Sequence, residues 1–287
     1  MARTAYGRVM PTPRTALVTG ANQGLGFALA KGLATRLSAH DRVLLTGRDP
    51  VRVADAVARV PKPAARLEGM VLDVRAPGAI ERLAGELGAI DIVFSNAFAR
   101  WTPEDDDAAV VDAVHETSNV ATSRILRAFG PTLRPGGRLV VVASSLGTLG
   151  HLPAAARMRF RDDATLAEVD AALADWVRAV HAGTAEEEGW PEWLNLPSKV
   201  GQVAAVRAVA RERRERDLAE GTLIAAVCPG LVDTGASRPW FADMSRAQTP
   251  DAAAEALLDL VLSPGVDPAH YGELVRFGRT LDWRAAA

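Results

Sequence analysis

The chain is poor in three residue types that usually carry chemistry. Its 287 residues include one cysteine, two tyrosines and three lysines against thirty arginines. A single cysteine excludes a disulfide framework and a cysteine metal cluster. Cys228 lies in the apolar run LIAAVCPG, where it reads as a small core residue. The tyrosines, Tyr6 and Tyr271, fall near the two ends of the chain. No apolar run approaches the roughly 20 residues needed to span a bilayer. The opening MARTAYGRVMPTPR has no hydrophobic stretch, so it does not read as a secretory signal. Residues 1–13 are expected to form a flexible arm, and the protein is expected in the cytoplasm. A net charge of −2 implies no general attraction to nucleic acid or to an anionic membrane. Nothing in the pattern asks for a metal.

What is there is an ordinary soluble composition, 48% hydrophobic and 24% charged, long enough to bury a large core. Short apolar runs read as strands at 15–19, 42–46, 69–73, 90–95, 138–144, 222–228 and 273–277. They are nearly continuous, as strands buried on both faces should be. Helical patterns separate them at 25–38, about 50–59, 77–87, 105–129, 196–217 and 250–262. This alternation predicts an α/β fold: a doubly wound, Rossmann-type parallel sheet of seven strands. Residues 14–287 form one domain on this reading. The interval before Lys199 breaks the rhythm. There Thr165 and Glu168 make a capping box, apolar residues follow at helical spacing, and Gly183 can end the helix. It reads as an inserted helical lid over about 151–194.

The first strand runs into TGANQGLG, residues 19–26. Gly20 suits the tight turn, Gly24 the approach of a pyrophosphate, and Gly26 close helix–sheet packing. Asn22, Gln23 and Leu25 fill the loop between them. A helix N-terminus behind such a loop offers free N–H groups to phosphate. The strand, loop, helix order makes this a nucleotide site rather than a bare glycine pattern. After the second strand, TGRD has no acidic side chain where a ribose 2′-hydroxyl would want one, and Arg48 follows. Arginine there suits a 2′-phosphate, which favours NADP(H) over NAD(H).

The TGxxxGxG spacing resembles the short-chain dehydrogenase/reductase superfamily, and further motifs follow in order. LDV carries Asp73 and Val74, and the resemblance implies that this segment reads adenine. SNA places Asn96 and Ala97 at the family's Asn-Asn-Ala-Gly turn, with Ser95 in place of the first Asn and Phe98 in place of Gly. SNV places Asn119 at the helix asparagine that, in the family, holds a water beside the catalytic lysine. GRLVVVASSLG resembles the strand that delivers the catalytic serine; spacing favours Ser144, with Ser145 its neighbour. CPGLVDT supplies Pro229, Gly230, Val232 and Thr234, which the resemblance places against the nicotinamide. Lys199 matches the lysine of Tyr-x-x-x-Lys, implied to clamp the nicotinamide ribose. The tyrosine position is Asn195. Long inserts and an arginine after the second strand are similar to the monomeric carbonyl reductases, so a monomer is favoured. Loss of the tyrosine resembles atypical ketoreductases of the angucyclinone antibiotics.

An amide such as Asn195 donates a hydrogen bond but is no practical acid near neutral pH. Ser144 can still donate to a developing oxyanion. The proton then comes from water near Asn119 and Lys199, from His151, or from a phenol of the substrate. Trp101, Trp190, Trp193, Trp240 and Phe241 follow strand ends or close the insert. They either line a pocket for a flat aromatic polyketide or pack the lid onto the body. A sensor or scaffold that binds NADP(H) without turnover is the rival expectation.

Overall fold

The computed structural model describes residues 12–285; most of the expected N-terminal arm, Tyr6 included, lies outside the described residues. The chain forms a sheet of eight strands in the order β3-β2-β1-β4-β5-β6-β7-β8. The strands are β1 (Thr15–Val18), β2 (Arg42–Gly47), β3 (Arg66–Val71), β4 (Ile90–Ser95), β5 (Leu133–Val142), β6 (Leu223–Cys228), β7 (Leu274–Arg276) and β8 (Arg279–Leu281). The first seven pair in parallel, and β8 adds a short antiparallel edge on β7. The seven-strand expectation thus gains an eighth strand. It escaped notice because a three-residue RTL carries no apolar run.

Two strands begin earlier than their apolar runs. The edge strand β3 opens with Arg66 and has no buried residue, so its polar half looked like loop. The strand β5 starts at Leu133 and passes through Pro135, Gly136 and Gly137, with a register shift against β4 at Ile90/Ile92.

Helices cover both faces. On one side α1 (Gly24–Arg36), α2 (Pro50–Ala58) and α9 (Pro250–Leu262) build a core around Leu29, Leu33, Leu45 and Leu258. On the other side lie α3 (Ala79–Leu87), α4 (Asp107–His115), α5 (Ala121–Phe129) and α8 (Asn195–Ala219). The expected helix 105–129 is interrupted by a π-turn, Glu116–Val120, between α4 and α5. That turn carries Asn119, and π-turns inside helices often mark functional positions.

The insert contains α6 (Ala154–Arg157) and α7 (Leu166–Ala182). The capping box closes as expected: Thr165 Oγ1 accepts from Glu168 N and Glu168 Oε2 accepts from Thr165 N. Gly183 ends α7 at φ 71°. This helix packs against α4 and α8, with Trp176 fully buried. The insert is therefore a packed layer, and its closing end, 185–194, leads straight into α8. No helix among the described residues is long and apolar enough to cross a membrane.

Candidate active site

Loops leaving β1, β4, β5 and β6 meet at the carboxyl edge of the sheet, where β1 and β4 neighbour each other and the strand order reverses. Thr19 ties the first two loops together. It is buried, and its Oγ1 accepts from Asn96 N at 2.9 Å and Ala97 N at 3.1 Å. The Asn96 amide donates to Thr19 O at 2.9 Å. Gly20 has φ +62°, and a Cβ there would lie 2.8 Å from Ala97 Cα. A side chain on Gly26 would run into Asn96 Nδ2 and Gly20 O. Glycine at both places is a condition of closing this loop on its neighbour.

The residues fit a dinucleotide phosphate. Helix α1 begins at Gly24 with no side-chain cap on its N–H groups and no acidic residue in its first turn. Its free donors and dipole favour an anion. Arg48 is exposed and makes no ion pair among the described residues. Arg59 donates to Asn22 O at 2.8 Å and stacks on Phe27, with its guanidinium 4.2 Å from the ring centroid. It adds a second cation beside the loop. One more arginine in an arginine-rich chain gave no sequence signal. Asp49 caps α2 through Val51 N and Arg52 N, as its sequence position suggests. Asp73 Oδ1 accepts from Arg75 N at 3.0 Å and holds its own turn. The Val74 side chain is buried in the core. After β6, Gly230 has φ +80°, and Gln248 braces the turn through Pro229 O and an isolated bridge to Val232. Thr234 lies against the glycine loop: a Cβ on Gly24 would be 3.4 Å from Thr234 Cγ2.

At the other end of the cleft Ser144 caps a short turn, Ser145–Gly147, and its Oγ accepts from Leu146 N at 3.2 Å. That leaves its O–H free to donate. The turn packs on α8: a Cβ on Gly147 would lie 2.9 Å from Lys199 O. Asn195 is the first residue of α8. Its Oδ1 is buried without a hydrogen-bond partner. The Asn119 amide donates to Ser198 O at 2.8 Å, fixing the π-turn to α8. Lys199 is buried, and burial pushes its pKa down to about 8. Its Nζ donates to Gln202 Oε1 at 2.8 Å and lies 4.9 Å from the Phe98 ring centroid.

Phe98 starts a chain of rings. Its centroid is 5.1 Å from Trp101, Trp101 is 5.7 Å from Trp240, and Trp240 is 5.6 Å from Trp193. Trp240 Nε1 donates to Trp101 O at 3.2 Å. The loops after β4 and β6 and the end of the insert thus converge on one aromatic cluster. The indole Nε1 atoms of Trp101 and Trp193 are buried in it without partners.

Several expected positions fall elsewhere. Trp190 packs inside the insert, 6.2 Å from Phe160 and 4.7 Å from the Arg159 guanidinium, and does not join the cluster. Phe241 is exposed beyond the cluster. His151 Nδ1 is paired with Thr148 Oγ1 at 2.9 Å, which braces the loop and gives the ring a local task. Tyr271 stands apart from these residues: its O–H donates to buried Asp217 at 2.8 Å. Burial, then the Asp217 carboxylate, push its pKa up. Gln202, Thr19 and Arg59 were not singled out from sequence. A glutamine inside the apolar run KVGQVAAV was a visible signal for the first. Neither of two cavities, of about 380 and 900 Å³, is lined by Ser144, Asn195 or Lys199, though the larger reaches Trp190 and Leu194. Converging motifs, not cavity size, locate this site.

The short chain dehydrogenase family profile matches residues 14–156. Carbonyl reductase (NADPH) 3 of Mus musculus is 32% identical over 278 residues, covering 92% of this chain and 96% of the relative. Carbonyl reductase (NADPH) 1 of Mus musculus is 28% identical, covering 93% and 98%. Among solved structures, salutaridine reductase of Papaver somniferum superposes with a TM-score of 0.76 at 22% identity, covering 91% of this chain and 99% of that one. Menthone neomenthol reductase of Mentha piperita gives 0.74 at 23%, covering 93% and 100%. These two likenesses concern the fold. With a third of its residues shared along nearly the whole length of a curated relative, the chain belongs to the short-chain dehydrogenase/reductase family.

Proposed function

We propose that the protein is an NADPH-dependent ketoreductase acting on a flat, polycyclic aromatic polyketide of the angucyclinone kind, in antibiotic biosynthesis. The coarser part rests on kinship: the protein is an NADPH-dependent short-chain oxidoreductase, like the carbonyl reductases it matches. The finer part rests on one observation. Asn195 stands in the tyrosine position, with an unpaired buried Oδ1, beside an aromatic cluster holding two unpaired indole N–H groups. Buried polar groups without partners cost about 1–3 kcal/mol each. A flat aromatic ligand bearing a hydroxyl would stack against the cluster and give Asn195 Oδ1 a partner. The N-x-x-x-K departure with its long insert resembles the simocyclinone pathway ketoreductase.

In this reading NADPH, when bound, supplies the hydride. Ser144 donates its free O–H to the carbonyl oxygen and stabilises the charge that develops there. Lys199 would hold the nicotinamide ribose hydroxyls, and Arg48 would hold the 2′-phosphate. Asn195 Oδ1 would accept from water or from a substrate hydroxyl away from the carbonyl, so that the hydroxyl next to the carbonyl keeps its proton directed at the reacting oxygen. That hydroxyl, or water, passes its proton to the alkoxide as the C–H bond forms, and solvent returns a proton to the phenolate. The protein works as a cytoplasmic monomer.

Loss of the tyrosine also suits a sensor that binds NADPH without turnover. Retention of Ser144, which a sensor does not need, favours the enzyme. Following NADPH absorbance with an angucyclinone ketone tests this: steady consumption with alcohol formation is expected. Tight binding with no consumption would overturn the enzyme reading.

A further inference from the structure

The Lys199 ammonium is held from behind by a side chain of its own helix. Gln202, one turn on, accepts from Nζ at 2.8 Å. Val142 O lies 3.5 Å from the same nitrogen. Gln202 is only 2% exposed, between the buried residues Val200, Val203 and Ala205. An amide costs free energy there unless both its ends are paired. Both ends are. Gln202 Nε2 donates to Thr122 Oγ1 at 3.4 Å. Thr122 gives its own proton to Ser118 O at 2.6 Å, so it accepts from both Gln202 and Ser95 Oγ, the latter at 3.4 Å. The network thus ties α8 to the π-turn and to the end of β4, and every member is buried.

We propose that Gln202 is the positioning residue of this site: it fixes the Lys199 ammonium with a neutral acceptor, and Thr122 and Ser95 fix the orientation of the Gln202 amide. This assignment deepens the NADPH reading above and rests on it only for its purpose. The choice of an amide has a chemical consequence. A carboxylate in its place would pair with the ammonium and cancel its charge. The amide accepts a hydrogen bond from Nζ and leaves the whole positive charge directed at an incoming ligand. No carboxylate pairs with Lys199 among the described residues. The elements packed around it contribute the Phe98 ring from the β4 loop, the Val142 carbonyl from β5 and, as a titratable neighbour, Cys228 from β6. The network also accounts for Ser95, a departure from the family's asparagine: its hydroxyl ends the chain of bonds that begins at Lys199.

The scarcity of lysine makes a direct test practical. With only Lys31, Lys62 and Lys199 in the chain, lysine labelled with ¹³C at Cε gives three side-chain signals whose titration is read by NMR in the apoprotein. The Lys199 signal is expected to titrate near 8. Gln202→Leu removes an acceptor that favours the charged form, so the midpoint should fall by about one pH unit. Gln202→Glu should raise it above the wild-type value. Thr122→Val, which leaves Lys199 and Gln202 in place, should move it in the direction of Gln202→Leu by less. If Gln202→Leu does not fold, the Glu and Val variants carry the test. Coincident midpoints in the wild type and the folded variants would overturn the positioning role. Separately, a Lys199 signal that does not respond to NADPH in the wild type would count against the cofactor reading while leaving the Gln202 assignment standing.

Discussion

On the proposed reading Asn195 stands where the family has its tyrosine, and the residues around it divide the remaining work. Ser144→Ala removes the free donor to the carbonyl oxygen, and kcat should fall by about 10²–10³. Ser145→Ala should change it little, which would settle the choice between the neighbours. Lys199 gives a pH dependence. Because burial holds its pKa near 8, kcat/KM for NADPH should fall above that pH as the ammonium is lost. In Lys199→Arg, whose charge persists, that alkaline limb should vanish. Stability moves the opposite way. The unfolded chain binds more protons than the folded one between about 8 and the ordinary 10.5, so stability rises with pH across that window. The glycine loop, Arg48, Asn119, Ser144 and Lys199 were legible because each is a residue type at a fixed spacing. Gln202 was not singled out, since its partner lies on its own helix and its meaning appears only once Thr122 and Ser95 are beside it. Asn195 was read as a donor, while the structure leaves its acceptor oxygen unpaired.

At the scale of elements, periodicity found what is buried on a regular face and missed what is not. Strand β4 fell where expected because both its faces are covered. The half-exposed β3 was placed late, and the π-turn in the 107–129 helix left no mark on the apolar pattern. The insert was read as a lid, yet α7 lies as a packed third layer on α4 and α8. A Cβ on Gly201 of α8 would meet Leu173 Cδ1 at 2.6 Å and Asn119 Nδ2 at 3.1 Å. Gly201→Ala should therefore cost about 1–3 kcal/mol, read as a shift of the urea midpoint. Trp176→Ala in α7 should cost about 3–5 kcal/mol. Trp193→Ala, in the closing segment, should instead raise the KM for an aromatic ketone while moving the midpoint less. The reverse pattern would make the insert the pocket wall and the closing end mere packing. Trp190 shows why sequence could not separate these roles: two tryptophans three residues apart face different neighbours, one the insert and one the cleft.

The molecule as a whole is a family scaffold that binds NADP(H), and the proposal gives it an altered acid. A ligand that binds only the folded state stabilises it by about 2.7 kcal/mol at a hundred times its Kd. NADPH should therefore raise Tm clearly, and NADH much less. Arg48→Ala should narrow that difference, since charge-assisted bonds to a phosphate are worth about 1.5–3 kcal/mol. The central claim is that the substrate supplies what Asn195 cannot. The most direct measurement compares NADPH oxidation by the wild type and by Asn195→Tyr on matched ketones with and without a neighbouring phenol. The wild type should turn over only the phenol-bearing ketone, and the tyrosine variant should gain on the phenol-free one. Equal wild-type turnover of both ketones would contradict the account.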